Sequence, residues 1–184
     1  QLGQLYCGAR IHDREDFTHL LELAPRAMSA CLYENDRSFS LEHIKQELPS
    51  YGTSDYRAAA VEILQPNGSR LTDFRYVSHC VSPGKPKLQG LPATYTQSND
   101  EALTLTVTLR DALIGVKAQL SYTIFRDYAA ITRSVRYENE GENTLTLTHA
   151  MSLSLDLPDC DYEWMQFSGR WAGERQLITR QLRQ

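Results

Sequence analysis

The chain has 184 residues, 41% of them hydrophobic and 23% charged, with a formal net charge of −4. That is enough for one domain with a real core, or two small ones, and the acidic balance argues against a general nucleic-acid binder, which needs a concentrated basic surface. No apolar run approaches the ~18–20 residues that span a membrane, and the opening QLGQLYCGAR holds no apolar core of a signal peptide.

The first half is irregular. FTHLLEL (17–23) is readable as helix or strand. PRAMSACLYEN (25–35) has helix-forming composition but starts at Pro25. LEHIKQEL (41–48) has helical spacing at Leu41, Ile44 and Leu48 before Pro49, which predicts a short helix. YGTSDYR (51–57) reads as a loop that ends in an Asp–Tyr–Arg triplet. AVEILQPNGSRLTDFRYVSHCV (60–81) predicts a hairpin, because Asn-Gly between two apolar-patterned runs is a strong reversal signal. SPGKPKLQGLP (82–92), rich in Pro and Gly, predicts an ordered loop.

The second half is β. LTLTVTL (103–109) alternates strictly between apolar residues and Thr, the period of a strand with one buried face. GVKAQLSYTIF (115–125) repeats the pattern with Val116, Ala118, Leu120, Tyr122 and Ile124 on one face. AITRSVRYEN (130–139) follows after a short connection, with Ile131, Val135 and Tyr137 on one side. NEGENT (139–144) predicts a hairpin turn around Gly141. LTLTHAMSLSLDL (145–157) predicts one long strand, with a bulge or bend near Ala150. Short turns between neighbours imply antiparallel pairing. The fold class expected is all-β: a large antiparallel β-sandwich with few short helices, and a closed barrel as the alternative.

Cys7, Cys31, Cys80 and Cys160 form no CxxC pair and read as reduced, partly buried cysteines of a cytoplasmic protein. The five histidines show no ligand spacing, so no metal site is expected. His149, on the apolar face of its strand, reads as a core histidine. No phosphate-binding glycine loop, HExxH or GxSxG occurs. Neither end carries a start or stop signal, as in a fragment of a longer polypeptide.

Two stretches carry chemistry. In the triplet, Asp55 can accept hydrogen bonds from vicinal hydroxyls, Tyr56 offers an aromatic wall and Arg57 can orient Asp55. The bland reading is an Asx-turn with a local Asp–Arg pair. In FSGRWAGER (167–175), Trp171 stands between glycines and charges, a device for stacking on the apolar C–H face of a pyranose. The bland reading is a tryptophan capping an inter-domain seam.

YGTSDYR, NGSRLTDFRYVSHCV, GKPKLQGLPATY and FSGRWAGER, in that order, resemble the N-terminal region of glycoside hydrolase family 36 α-galactosidases from about residue 30 onward. The chain departs from the family pattern at Ser54, at Ala58–Ala60 and at Arg170. The resemblance implies a single β-supersandwich over residues 1–184, similar to galactose mutarotase. It also implies a (β/α)8 barrel outside this chain that carries both catalytic aspartates. The implied reaction is retaining hydrolysis of terminal α-galactosides such as melibiose and raffinose, without cofactor or metal. Asp55 and Trp171 would line the galactose pocket, with Arg57 holding Asp55. No catalytic residue is then expected in this chain. Its partners would be the α-galactoside, its own barrel and further copies of itself. A stand-alone carbohydrate-binding or scaffold module, and a mutarotase-like isomerase needing a convergent His and Glu, are the competing readings.

Overall fold

The computed structural model describes residues 2–21, 41, 44–52, 58–90, 93–158 and 160–182. The segment 25–35, Cys31, and the Asp55–Tyr56–Arg57 triplet lie outside the described residues.

The alternating Leu–Thr segments build the central sheet. β4 (Arg75–Pro83), β5 (Ala102–Asp111), β6 (Val116–Phe125) and β7 (Ile131–Asn139) form an antiparallel meander in that order. The register runs unbroken from Ala102 opposite Phe125 to Asp111 opposite Val116. It puts Val107 beside Leu120, and Leu109 beside Ala118. Period 2 therefore delivers one continuous apolar face, as the sequence predicts.

A second, narrower layer covers part of that face. β3 (Val61–Leu64) pairs antiparallel with β8 (Thr146–Ala150). Val61, Ile63, Leu48 and Phe74 pack with Val107, Leu109, Val116, Ala118 and Leu120 into the core. The architecture is all-β, as expected, with short helical turns at Thr18–Leu20 and Asn99–Glu101. Two short ribbons complete it: β1 (Gly3–Gln4) with β2 (Lys45–Gln46), and β9 (Glu163–Arg170) with β10 (Gly173–Gln181).

Several local expectations fail, each for a tertiary reason. The hairpin over 60–81 does not form. The QPNGS turn closes, with the Gly68 and Gln65 amides donating to Gln65 O and Ser69 O at 2.9 Å each, and Gly68 at φ 83°. The chain then crosses between layers: the Thr72 amide donates to Tyr51 O, and Phe74 is fully buried. So β3 joins β8, whereas β4 joins β5. The turn at 139–144 likewise links two layers instead of closing a hairpin. Lys45–Gln46 is strand, not helix; an eight-residue helix is marginal alone, and pairing with Gly3–Gln4 satisfies the backbone. The long strand expected over 145–157 stops at Ala150, while the irregularity expected near Ala150 is present, the register skipping Thr148 opposite Glu62/Ile63.

His149 is exposed, not a core residue, because no described layer covers that side of β8. Cys7, Cys80 and Cys160 are free and exposed, where partial burial was expected. Cys80 pairs with Thr106, whose hydroxyl shares the outer face with Ser121, on an edge strand.

The polar face of the sheet is not simply wet. The connection after β4 folds over it. Gly84 O accepts from Thr104 Oγ1 at 2.7 Å, and Thr104 Oγ1 lies 2.8 Å from Thr123 Oγ1. Both threonines are buried.

Candidate functional site

Trp171 occupies the tip of the β9–β10 hairpin. Arg170 pairs with Gly173, leaving Trp171 and Ala172 as the two loop residues. Ala172 takes φ 59°, a conformation that favours glycine and costs an L-residue about 1–2 kcal/mol. Its amide donates to Glu174 Oε1 at 3.2 Å, which ties the loop down. Gly169 is required by close approach: a Cβ there would sit 2.7 Å from Glu174 Cα and 2.8 Å from Gly173 O. Arg175, at φ 60°, lies in the bulge between Gly173 and Gln176. The SGRWAGER sequence thus encodes a tight, bulged tip that holds its indole outward, with Trp171 94% exposed.

The hairpin below it is also uncovered. Phe167 faces Leu177 and Met165 faces Thr179 across the strands, and all three apolar side chains are exposed. An isolated two-stranded hairpin is marginal in water, so this ribbon has the composition of a surface made to be covered.

Asp55 and Arg57 lie outside the described residues; the described residues before and after them are held to the core. On the entering side, Pro49 O accepts from the Ala60 amide at 2.7 Å, and Ser50 bridges Val61. Gly52 takes φ 109°, and a Cβ there would lie 3.2 Å from Thr72 O. On the returning side, Ala59 and Ala60 are buried, and Ala60 O accepts from the Met151 amide at 2.7 Å.

One cluster escaped the sequence reading. Arg133 of β7 points to the core side, its side chain only 6% exposed. Its Nη2 donates to Glu47 O at 2.8 Å and its Nη1 to Ser152 O. The guanidinium lies 5.5 Å from the Tyr122 ring centroid. Tyr122 Oη donates to Glu47 Oε2 at 2.7 Å. Burial is the main reason the Tyr122 phenol is pushed up to about 12, and burial likewise raises Tyr137 to about 12. Arg133 spends two nitrogens on backbone carbonyls from two segments, so the cluster clamps the layers together. The only sequence signal was an arginine at an apolar-phase position of a strand.

The His–Glu requirement of an isomerase meets an obstacle. Glu62 lies opposite His149 in register, but its Oε1 is held by Arg70 Nε at 2.7 Å and Thr148 Oγ1 at 2.9 Å. Among the described residues, no group of three or more His, Cys, Asp or Glu side chains is placed to hold a metal ion.

The comparisons with known proteins agree on one family. The family model described as glycosyl hydrolase family 36 N-terminal domain matches residues 1–184. Alpha-galactosidase AgaA of Geobacillus stearothermophilus is 42% identical over 181 residues, 98% of this chain and 25% of that protein. A crystal structure of an AgaA variant in complex with raffinose superposes with a TM-score of 0.90 at 42% identity, over 98% of this chain and 25% of that one. The alpha-galactosidase from Lactobacillus brevis superposes with a TM-score of 0.91 at 38% identity, over 98% and 24%. The chain thus spans about a quarter of the length of these relatives.

Proposed function

The chain belongs to the glycosyl hydrolase family 36 N-terminal domain family, and from that membership we propose that it is the non-catalytic N-terminal part of an α-galactosidase. In this reading the parent polypeptide hydrolyses terminal α-D-galactosyl residues from galactosides such as melibiose and raffinose. Its two carboxyls, in a barrel outside this chain, act as nucleophile and acid/base about 5–5.5 Å apart. The observation that carries the reading is the match over residues 1–184, joined to a 0.90 superposition on an α-galactosidase solved with raffinose.

This chain shapes the sugar pocket from outside the barrel. Asp55 accepts hydrogen bonds from galactose hydroxyls, Arg57 orients it, and the outward indole of Trp171 supplies an apolar wall. The exposed Phe167, Met165 and Leu177 face is the surface that docks on the barrel or on a second subunit.

The test is kinetic. In the parent polypeptide, Asp55→Ala and Trp171→Ala raise KM for an aryl α-galactoside by about tenfold or more, a loss of about 1.4 kcal/mol of binding, with an unchanged melting temperature. Purified 184-residue chain shows no hydrolysis of the same substrate. Wild-type kinetics in both variants would remove the pocket role, and turnover by the isolated chain would refute the non-catalytic reading.

A further inference from the structure

A cleft of about 680 Å³ opens between the 94–98 segment and the β6–β7 connection. The size is that of small-molecule sites generally. Its most conspicuous lining groups are two tyrosine rings, Tyr95 at 75% and Tyr128 at 73% exposure. Neither ring contributes to the core.

Both walls are fixed to one anchor, the helical turn Asn99–Glu101. Glu101 accepts from the Gln97 amide at 3.2 Å and the Ser98 amide at 3.1 Å, a capping box that sets the Tyr95 side. Glu101 O accepts from the Arg126 amide at 2.9 Å, and Arg126 Nη1 lies 3.3 Å from Asp100 Oδ2, which sets the Tyr128 side. Ala130 N donates to Tyr128 O at 2.8 Å, tightening the connection. A cleft held this way keeps its shape without a ligand, which lowers the ordering cost of binding.

The charges in the cleft are already matched. Glu101 is spent on two amides. Arg126 is shared between Asp100 and Asp127, the latter at 3.6 Å. Among the described residues that line the cleft, that leaves no free cation to attract a phosphate or carboxylate, and no uncommitted acid to select an ammonium group. What remains is amphipathic: flat aromatic faces beside the Gln97 amide and the Thr94 hydroxyl. A pyranose has this same division, an apolar C–H face and a rim of hydroxyls.

We propose that the Tyr95–Tyr128 cleft is a second saccharide-binding surface for a neutral oligosaccharide, separate from the Trp171 hairpin and independent of the pocket reading. It holds chains of hexose units by stacking rather than by charge, which fits retention of an extended substrate near the enzyme.

The test is titration of the full 184-residue chain with raffinose, by calorimetry and by aromatic carbon–proton correlation spectra with Tyr95 and Tyr128 assigned. Expected are weak saturable binding and ring-resonance shifts at both tyrosines. Tyr95→Ala and Tyr128→Ala each weaken binding about tenfold or more, whereas Tyr95→Phe and Tyr128→Phe keep it within about threefold. Gln97→Ala, which leaves the backbone capping bonds in place, weakens binding with the fold intact. No heat and no shift with the folded wild-type chain would overturn the proposal. So would shifts confined to other residues, or Phe variants as weak as the Ala variants. A response to tetramethylammonium in place of raffinose would overturn it in favour of a cation site.

Discussion

Asp111 is the side chain whose removal should be most costly for its size. It ends β5, is 2% exposed, and closes the connection to β6. Its Oδ1 accepts from the Leu113 amide at 2.9 Å and the Ile114 amide at 3.2 Å, and its Oδ2 accepts from the Asp73 amide at 2.7 Å. The first two bonds form the turn. The third ties that turn to the segment delivering Phe74 to the core. Asp111→Ala strands three donors at once. Leu113 and Asp73 are exposed residues, so water recovers part of the loss there, while Ile114 is half-buried. Hydrogen bonds to a charged group contribute about 1.5–3 kcal/mol each, so a net cost of about 3 kcal/mol is expected after rehydration. At ~2–4 °C per kcal/mol for a domain of this size, the melting temperature falls by about 6–12 °C. Asp111→Asn keeps one acceptor oxygen for the turn but sets an NH2 against the Asp73 amide, and should lose roughly half as much. Urea titrations followed by far-ultraviolet circular dichroism measure both. A cost under about 1 kcal/mol for the alanine variant, or equal costs for Ala and Asn, would refute the assignment.

Ala172→Gly relieves the positive φ at the hairpin tip and should stabilise the chain by about 0.5–1 kcal/mol in urea titration; a destabilised variant would show that the tip conformation is not strained. The Tyr122 and Tyr137 phenols, both raised to about 12 by burial, favour the folded state fully below pH ~10, and that contribution is lost as pH rises from about 10 through 12. The urea midpoint should fall across that window, and the double variant Tyr122→Phe/Tyr137→Phe should fall less. Tyr137 Oη is buried without a hydrogen-bond partner among the described residues, so Tyr137→Phe alone should cost nothing at pH 7, whereas Tyr122→Phe loses the bond to Glu47.

The sequence by itself determined the central sheet. Strict Leu–Thr alternation over 103–109 and its echo over 115–125 and 130–139 placed three strands almost to the residue, because a period of 2 under one buried face has no competing helical solution. Turn chemistry was also local at the Asn67-Gly68 reversal, where Gly68 supplies the positive φ. The family motifs marked Trp171 because its neighbours shape the tip it stands on. Only tertiary structure decided which sheet each strand joins. A tight turn reverses the chain but does not say whether the outgoing strand pairs with the incoming one. At 65–74 burial of Phe74 and the Thr72–Tyr51 bond carry it to the other layer instead. The same holds for burial: Leu103, Ile124 and Ile131 continue the core pattern yet stand exposed, since alternation encodes a face and not what covers it. Glu47 meets Tyr122 and Arg133 across 75 and 86 positions, and the cleft brings together Tyr95 and Tyr128 across 33, proximities that no local spacing records.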